Sequence, residues 1–317
     1  MKKIILLFIV FPILALTACS KSLPTNELYY TKEKDKENVK LSTIKLDENY
    51  SVYDLICIDD KIIATDSEND CLLIINKESG ETQTKGQTGN GNDDYLNPHG
   101  IWCKGDSIYV VDSGNNRIKI IDLNLNFQKA IDLSEIEFWN AAPTFWDDIS
   151  VDNNENIFLT VNSCVKKDAK LYCIENGSDK PKVIMNNCTG VITSNGNKTY
   201  FANTYEFIEN LQTKSGTNYI YEIENYQIIN KYTLPSGYAP SGISTNGDDI
   251  YCSSYCFQEV SNANLNSLTV TSFFSEPVII NAQNKKDIKY YGSLIYDDNY
   301  IWLIETNNNE IYKLTEE

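Results

Sequence analysis

A 25-residue stretch occurs twice in this chain, 46 positions apart and without a gap, and it limits the possible folds more than any other feature. Residues 98–122 read PHGIWCKGDSIYVVDSGNNRIKIID, and residues 52–76 read VYDLICIDDKIIATDSENDCLLIIN, with eight identities. Each copy holds three apolar or alternating runs separated by polar turns, a pattern typical of three antiparallel strands. A repeat of this length predicts a toroid or an array of small sheets.

Four weaker copies follow, in register with the first two at the strand positions. The spacings between their anchoring apolar residues are 46, 48, 42, 52 and 51, which is the range of one four-stranded propeller blade. The anchors are Leu55, Ile101, Ile149, Val191, Ile243 and Leu294. The sequence therefore predicts an all-β, six-bladed β-propeller with four antiparallel strands in each blade.

The ends of the chain predict how the ring closes. Only three residues follow Leu314, so the last copy has three strands. Residues 38–47 alternate polar and apolar side chains, as an outermost strand does. We expect this N-terminal strand to complete the last blade, because an open ring would leave an unpaired sheet edge. The propeller domain is therefore assigned to residues 38–317.

The second copy carries the most specific motif. A glycine-rich loop and Pro-x-Gly-Ile at 86–101 precede the run Ile-Tyr-Val-Val-Asp-Ser-Gly-Asn-Asn-Arg-Ile at 108–118. This copy resembles an NHL repeat, and the whole chain resembles the six-bladed, TolB-like propeller lipoproteins of bacterial envelopes. The resemblance implies a fold more than a function, because propellers host lyases, lactonases and plain binding platforms.

The N-terminus resembles a bacterial lipoprotein signal. Two lysines precede an apolar run from Ile4 to Leu16, which is too short to span a bilayer but typical of a signal-peptide core. The run ends in Leu-Thr-Ala-Cys, which resembles a lipobox cleaved after Ala18. The resemblance implies a signal peptide at 1–18 and acyl chains on Cys19 that anchor the protein in a membrane. An ordinary secretory signal with a chance cysteine is the alternative.

Residues 19–37 are expected to be the lipidated Cys19 and a flexible tether. The segment 20–37 is polar and charged without a sustained period, and such a tether has a root-mean-square reach of roughly 25 Å. Ser20 follows the cysteine, which in the better-known sorting schemes favours the outer membrane. The expected location is the bacterial cell envelope, at the periplasmic face of the outer membrane.

The acidic balance limits the partners. The formal net charge is −17, and loss of Lys2 and Lys3 with the signal brings it to −19. Such a chain is repelled by phosphate backbones, and it has no basic stripe interleaved with aromatic residues. Nucleic acid is therefore excluded as a default partner. We expect the membrane, through the lipid anchor, and an envelope protein, peptide or glycan.

Eight cysteines remain after Cys19, an even number that allows disulfides in an exported chain. Cys164 and Cys173 flank an expected hairpin loop and are the pair to test. Most of the eight are expected to be buried thiols. No CxxC pair is present, which argues against a zinc site.

His99 is the only histidine, which excludes a zinc lyase that relies on several histidines. No Gly-x-Ser-x-Gly elbow, phosphate loop or HExxH motif is present. Lactonase-like propellers bind a divalent cation near the axis through oxygen ligands, which suit calcium. The candidate metal ligands aligned at the axial mouth here are Asp54, His99 and Asp148, whereas the opposite copies carry small residues. No cofactor is the primary expectation, and a cation at these three residues is the alternative.

An acidic residue recurs where the second strand of a copy ends, as Asp66, Asp112 and Glu305. A ring of acidic ligands is one interpretation. The favoured interpretation is that each side chain accepts backbone N–H bonds in the following turn.

The copies differ most in two loops that we expect on one face. Residues 135–149 carry four aromatic side chains, which are Phe138, Trp139, Phe145 and Trp146. Exposed, these side chains would form a binding surface; wedged between blades, they would belong to the core. The second loop is the extension at 205–218.

Two function classes remain. The prediction is a lipid-anchored, non-enzymatic propeller that serves as a binding platform for a protein, peptide or glycan. The alternative is a metal-dependent lactonase or hydrolase at the axial mouth, which requires Asp54, His99 and Asp148 to converge.

Overall fold

The computed structural model describes residues 23–31, 39–138, 143–207, 214–254, 259–275 and 290–316. These ranges contain 26 strands and one short 3₁₀ helix at Ser113–Asn115. The predicted signal peptide, Cys19 and Trp139 lie outside the described residues. No helix within the described ranges has the length and apolar character needed to cross a membrane.

Three strands precede the first repeat: β1 (Thr25–Glu27), β2 (Tyr29–Thr31) and β3 (Val39–Lys45). Blade 1 consists of β4 (Val52–Ile58), β5 (Lys61–Asp66), β6 (Cys71–Asn76) and β7 (Thr82–Lys85). Blade 2 consists of β8 (Pro98–Lys104), β9 (Ser107–Asp112), β10 (Arg117–Asp122) and β11 (Phe127–Asp132). Blade 3 consists of β12 (Thr144–Val151), β13 (Ile157–Ser163), β14 (Lys170–Ile174) and β15 (Lys182–Asn186).

Blade 4 consists of β16 (Cys188–Asn195), β17 (Lys198–Phe207), β18 (Lys214–Glu224) and β19 (Gln227–Thr233). Blade 5 consists of β20 (Pro240–Asn246), β21 (Asp249–Ser254), β22 (Glu259–Asn264) and β23 (Thr269–Ser275). Blade 6 consists of β24 (Tyr291–Asp297), β25 (Tyr300–Glu305) and β26 (Glu310–Glu316), with β3 as its fourth strand.

The predicted six-bladed propeller of four-stranded antiparallel blades is confirmed. The first strands β4, β8, β12, β16, β20 and β24 contact one another in sequence, and β24 contacts β4, so they form a closed inner ring. β3 pairs antiparallel with β26, from Val39 opposite Glu316 to Lys45 opposite Glu310. The N-terminal strand therefore completes the last blade, as the alternation at 38–47 predicted.

The blades are held together by apolar faces packed on one another. Six clusters of buried side chains each join two neighbouring blades, and one of them joins Leu73 of blade 1 to Trp302 and Ile311 of blade 6. The middle strand β5 is buried along almost its whole length, whereas the outer strand β11 is mostly exposed. Middle strands such as β5 and β25 therefore read as nearly continuous apolar runs, because both of their faces are covered.

The predicted tether is in part a pair of strands. β1 pairs in parallel with the outer strand of blade 4, and β2 pairs in parallel with the outer strand of blade 5. Leu28, which lies between them, is only 6% exposed. Residues 23–31 therefore lie on the propeller instead of in a free tether, because they cover two sheet edges and bury a leucine. We call residues 23–31 the N-terminal belt.

Two of the three recurring acidic residues accept backbone N–H groups of the turns that follow them. The carboxylate of Asp66 accepts the backbone N–H of Asn69 at 3.1 Å, and Glu305 accepts those of Asn307 and Asn308 at 3.1 and 3.0 Å. Asp112 accepts the backbone N–H of Leu96 at 2.7 Å and also pairs with Arg117. The expected role in the following turn is therefore confirmed for Asp66 and Glu305, whereas Asp112 accepts its backbone N–H from the loop that precedes β8.

Two local expectations change. The extension at 205–218 is largely a lengthened hairpin, since Tyr205 pairs with Gly216 and Phe207 with Lys214. Residues 208–213 lie outside the described ranges. Cys164 is exposed and Cys173 is buried, and both are free thiols, so the pair proposed for testing does not form a disulfide.

Candidate functional site

Five of the six inner strands carry a β-bulge at the end that faces the axial mouth, and in β20 of blade 5 it places Ser241 and Gly242 opposite Ser253. In blade 1 the pairing of β4 with β5 passes from Val52 directly to Leu55, so Tyr53 and Asp54 together oppose Thr65. The corresponding bulged residues are His99 and Gly100 in blade 2, Asp147 and Asp148 in blade 3, and Gly292 and Ser293 in blade 6. A bulge redirects side chains out of the regular pleat, which here turns them toward the mouth.

Asp54 and Asp148 fasten neighbouring inner strands to each other. Asp54 accepts the backbone N–H of Leu55 and of Ile101 in blade 2, both at 2.8 Å. In the same way, Asp148 accepts the backbone N–H of Ile149 at 2.7 Å and of Ile192 in blade 4 at 2.8 Å. Each carboxylate therefore pairs two amides that would otherwise be buried without a partner.

A threonine opposite each of these bulges completes the hydrogen bonding. The hydroxyl of Thr65 accepts the backbone N–H of Asp54 at 3.1 Å and donates to the carbonyl of His99 at 2.6 Å. The hydroxyl of Thr160 accepts the backbone N–H of Asp148 at 2.9 Å. Blades 1 and 3 thus share one arrangement of bulge, aspartate and threonine.

Burial sets the protonation of these acids. It raises the pKa of Asp54 to about 6, although hydrogen bonds from Ser293, Ile101 and Leu55 oppose the shift. Burial, together with the negative charge of Asp54, raises the pKa of Asp148 well above its ordinary value. A negative charge on Asp54 therefore disfavours ionisation of Asp148.

The predicted metal ligands do not fit a calcium site. Both oxygens of Asp54 and both oxygens of Asp148 already accept backbone N–H groups, whereas calcium needs six to eight oxygen ligands. His99 Nδ1 lies 2.9 Å from the carbonyl oxygen of Trp146. Among the described residues, no three His, Cys, Asp or Glu side chains are grouped so as to hold a metal ion.

His99 lies instead in a row of rings that crosses three blades. Its ring centroid is 4.3 Å from that of Tyr53 and 4.5 Å from that of Phe145. The Tyr53 hydroxyl donates to the carboxylate of Asp147. We call Tyr53, His99 and Phe145 the aromatic row.

The histidine of this row is held in one orientation and one tautomer. Because the Trp146 carbonyl can only accept, Nδ1 carries the proton and Nε2 has a free lone pair in the neutral ring. Burial lowers the pKa of His99, so the ring is neutral at pH 7. A neutral, fixed imidazole presents an apolar face and one acceptor rather than a positive charge.

A cavity of about 200 Å³ opens at the axial mouth beside this row. Its wall on blades 1 and 3 includes Tyr53, Asp54, Asp147 and Asp148, and Ser241 lies on the opposite side. The described lining contains no lysine or arginine. We call this space the axial cavity. Its wall carries negative charge when the carboxyls of these aspartates are ionised.

A more open groove lies between blades 2 and 3. Phe145 and Phe138 line it together with Ile136, Ser113 and Gly114. Tyr53 lines the axial cavity and Phe145 lines this groove, so the aromatic row lies between the two concavities.

The predicted aromatic surface is divided between core and site. Trp146 is 0% exposed, and its ring lies 5.1 Å from Phe138 and 5.4 Å from Tyr172. It therefore packs as core between blades 2 and 3, together with the partly buried Phe138. Phe145 remains half-buried in the aromatic row.

Sequence reasoning missed Tyr53 and Asp147 as members of this site. A signal for Tyr53 was present, because it occupies the same position in the first copy of the repeat as His99 does in the second. Asp147 had no such signal, since its role depends on the bulge that brings it to Tyr53.

No protein-family model matches the chain, and no curated protein matches its sequence. Solved structures do resemble its fold. Virginiamycin B lyase from Staphylococcus aureus is 14% identical with a TM-score of 0.58, covering 88% of this chain and 100% of that one. A protein from Bacteroides fragilis described as exported is 12% identical with a TM-score of 0.58, covering 93% and 100%. A protein of unknown function from Bacteroides thetaiotaomicron is 10% identical with a TM-score of 0.62, covering 88% and 76%. At these identities the likeness shows the six-bladed propeller fold alone.

Proposed function

We propose that this protein is a lipid-anchored envelope propeller that binds a peptide or glycan segment, free or carried by a protein, at the axial cavity. The observation that carries the proposal is the aromatic row of Tyr53, His99 and Phe145, which has Tyr53 in the wall of the axial cavity and Phe145 in the wall of the groove. Ring faces of this kind stack on sugar rings and on aromatic side chains.

Size and charge limit the group that enters the axial cavity. A volume of about 200 Å³ equals roughly seven water molecules, which is enough for one side chain or one sugar unit. Asp54, Asp147 and Asp148 lie in its wall without a lysine or arginine among the described lining residues. An anionic group would be repelled, so the inserted group is neutral or cationic.

The proposal involves no cofactor and no catalysis. The alternative, a metal-dependent lactonase or hydrolase, is not favoured because the carboxylates of Asp54 and Asp148 are engaged by backbone amides. The fold of virginiamycin B lyase is shared, but a shared propeller fold carries no reaction with it.

The membrane and location form the second half of the proposal. The apolar run from Ile4 to Leu16 and the Leu-Thr-Ala-Cys ending support cleavage before Cys19 and its acylation. Ser20 favours the outer membrane, with the propeller on its periplasmic side. The mass of the N-terminal peptide and membrane fractionation of wild-type and Cys19→Ser proteins test this half, since an unacylated peptide would refute it.

Binding can be tested with two probe collections, cell-wall oligosaccharides and amine-bearing hexapeptides, on arrays of each. We expect a probe that binds the wild-type protein and loses at least tenfold in affinity with Phe145→Ala or Asp147→Asn, which is about 1.4 kcal/mol. Tyr226→Ala is the matched control, because Tyr226 is an exposed aromatic residue in the β18–β19 turn, away from the mouth. Bound probes that ignore both site variants would refute the axial cavity as the site.

A further inference from the structure

The N-terminal belt attaches the chain to the rim of the ring at one place. Thr25, Asn26 and Glu27 pair with Lys231, Tyr232 and Thr233 of blade 4, and Tyr29, Tyr30 and Thr31 pair with Thr269, Val270 and Thr271 of blade 5. Further hydrogen bonds run from Lys231 N–H to the Pro24 carbonyl at 3.1 Å and from Tyr29 N–H to the Leu268 carbonyl at 2.8 Å. The belt therefore crosses the junction of blades 4 and 5 along their outer edges.

Leu28 is the side chain that holds the belt in place. It is buried in the cluster that joins blades 4 and 5, which also contains Ile220, Ala263 and Val270. Its backbone N–H donates to the Thr233 carbonyl at 2.9 Å. The belt is thus part of the packed structure on the junction of blades 4 and 5.

The chain between the belt and the proposed lipid anchor is very short. Only residues 20–22 separate Cys19 from Leu23, so the two Cα atoms are at most about 14 Å apart even when the chain is fully extended. A free tether would have a reach of roughly 25 Å. Because the belt is attached to the propeller, the chain instead leaves the rim of blades 4 and 5 at one fixed place.

We propose that the rim of blades 4 and 5 lies against the membrane, so that the propeller stands on its edge with its axis along the membrane plane. This inference rests on acylation of Cys19, as proposed above. The outer surface of blades 4 and 5 carries no repeat motif of its own, and the proposal gives this surface contact with lipid.

The exposed side chains of the N-terminal strands fit a membrane interface. Tyr29 is 65% exposed and Leu23 is 40% exposed, although both are large and apolar or aromatic. Leu41, on the neighbouring edge strand β3, is also exposed. Tyrosine and leucine at a rim next to an acylated cysteine insert readily at the headgroup level, where one end of an aromatic side chain is wet and the other apolar.

This orientation places the proposed binding site on the far side of the ring. Blades 4 and 5 lie opposite blades 1 and 2 in a six-bladed ring, and the aromatic row runs from Tyr53 in blade 1 to Phe145 in blade 3. The axial cavity then opens sideways and its aromatic wall lies away from the lipid surface. A ligand in solution or on the cell wall reaches it without passing the membrane.

Two opposite turns allow a direct test. Asn266 lies in the exposed turn before the outer strand of blade 5, and Asn124 lies in the exposed equivalent turn of blade 2. An environment-sensitive fluorescent amino acid is placed at one or the other in the full acylated protein, which is reconstituted in phosphatidylcholine vesicles containing doxyl-labelled lipid. Quenching at position 266 is expected to be several-fold greater than at position 124.

A variant of the belt tests the orientation of the propeller independently of the acylation of Cys19. Leu28→Asp releases the belt and restores a tether from Cys19 to Val39, so quenching at position 266 should fall to the value at position 124, with circular dichroism confirming an intact propeller. Equal quenching of the two positions in the wild-type protein, or unchanged preference in Leu28→Asp, would overturn the edge-on orientation while leaving the anchor intact. An N-terminal peptide without acyl chains would refute the anchor and the orientation together, whereas neither result would affect ligand binding at the axial cavity.

Discussion

Replacing Asp54 by asparagine should change how the free energy of unfolding depends on pH. Asp54 is 8% exposed, and burial raises its pKa from 3.8 to about 6. A carboxyl whose folded-state pKa is raised contributes stability that is fully present below the unfolded pKa and lost as pH rises through the folded pKa. The wild-type protein therefore loses this stability between pH 3.8 and about 6, and Asp54→Asn does not.

The size of the effect follows from the shift. About two pKa units correspond to about 3 kcal/mol in total, of which about 2 kcal/mol falls between pH 4.5 and 7.5. The charge of Asp54 is also one cause of the raised pKa of Asp148. Asp54→Asn removes that charge, so Asp148 ionises at a smaller cost in folding free energy, which adds to the gain of the variant at high pH. The asparagine side chain has one acceptor oxygen instead of two, which adds a loss of about 1 kcal/mol that does not vary with pH.

Urea unfolding of wild-type and Asp54→Asn proteins at intervals from pH 4.5 to 7.5 measures the difference. We expect the variant to gain about 2 kcal/mol relative to wild type across this range. Asp106→Asn, in the exposed turn between β8 and β9, controls for the change in net charge. Parallel curves for wild type and Asp54→Asn would refute the argument that Asp54 is a desolvated charge at the mouth.

Three further predictions test the burial of Trp146, the hydrogen bonds of Thr65 at the bulge and the burial of Cys173. Trp146→Ala should destabilise the protein by about 3–5 kcal/mol in thermal or urea unfolding, whereas the half-buried Phe145→Ala should cost clearly less, and equal costs would contradict the separation of core from site. Thr65→Val should cost about 1–3 kcal/mol, because the amide of Asp54 and the carbonyl of His99 both lose their partner, and a neutral result would mean that water replaces the hydroxyl. A thiol reagent should modify exposed Cys164 in the native protein but buried Cys173 only on unfolding, since burial raises the pKa of the Cys173 thiol to about 12; rapid native labelling of Cys173 would contradict its burial.

The ring and its closure were predictable because they depend on periodicity. Apolar runs at a spacing of 42 to 52 residues predicted six blades, and each anchor from Leu55 to Leu294 lies on an inner strand. The alternation at 38–47 predicted β3 because an outermost strand has one face toward solvent. These features repeat with the blade, so a single sequence contains enough copies to identify them.

The N-terminal belt was not predictable from the same signals. Strands of three residues are too short to show a period, and the polar composition of 20–37 is typical of a tether. What holds residues 23–31 is Leu28 and the open edges of β19 and β23, which exist only after blades 4 and 5 have formed. An isolated leucine in a charged segment is a weak signal until the surface that buries it is known.

The candidate site was half predictable for a related reason. Alignment of the copies brought Asp54 and Asp148 to the wall of the axial cavity and His99 to the equivalent bulge beside it, but it treated their side chains as free ligands. The bulges decide otherwise, because each one exposes backbone amides that the two aspartates then accept. A carboxylate that fastens two inner strands is a structural element of the mouth, whatever else enters the cavity.

The asymmetry of the mouth comes from the second position of the bulge. Blades 1 and 3 have aspartate there, whereas blade 2 has Gly100, where an added Cβ would lie 2.7 Å from the carbonyl oxygen of Asp147. That distance is too short for any side chain, so the glycine lets the inner strand of blade 2 approach blade 3 closely. The approach is what sets His99 against Phe145 and within reach of the Trp146 carbonyl. The aromatic row thus depends on a glycine between two acidic blades, and the candidate site lies where the repeat departs from its own pattern.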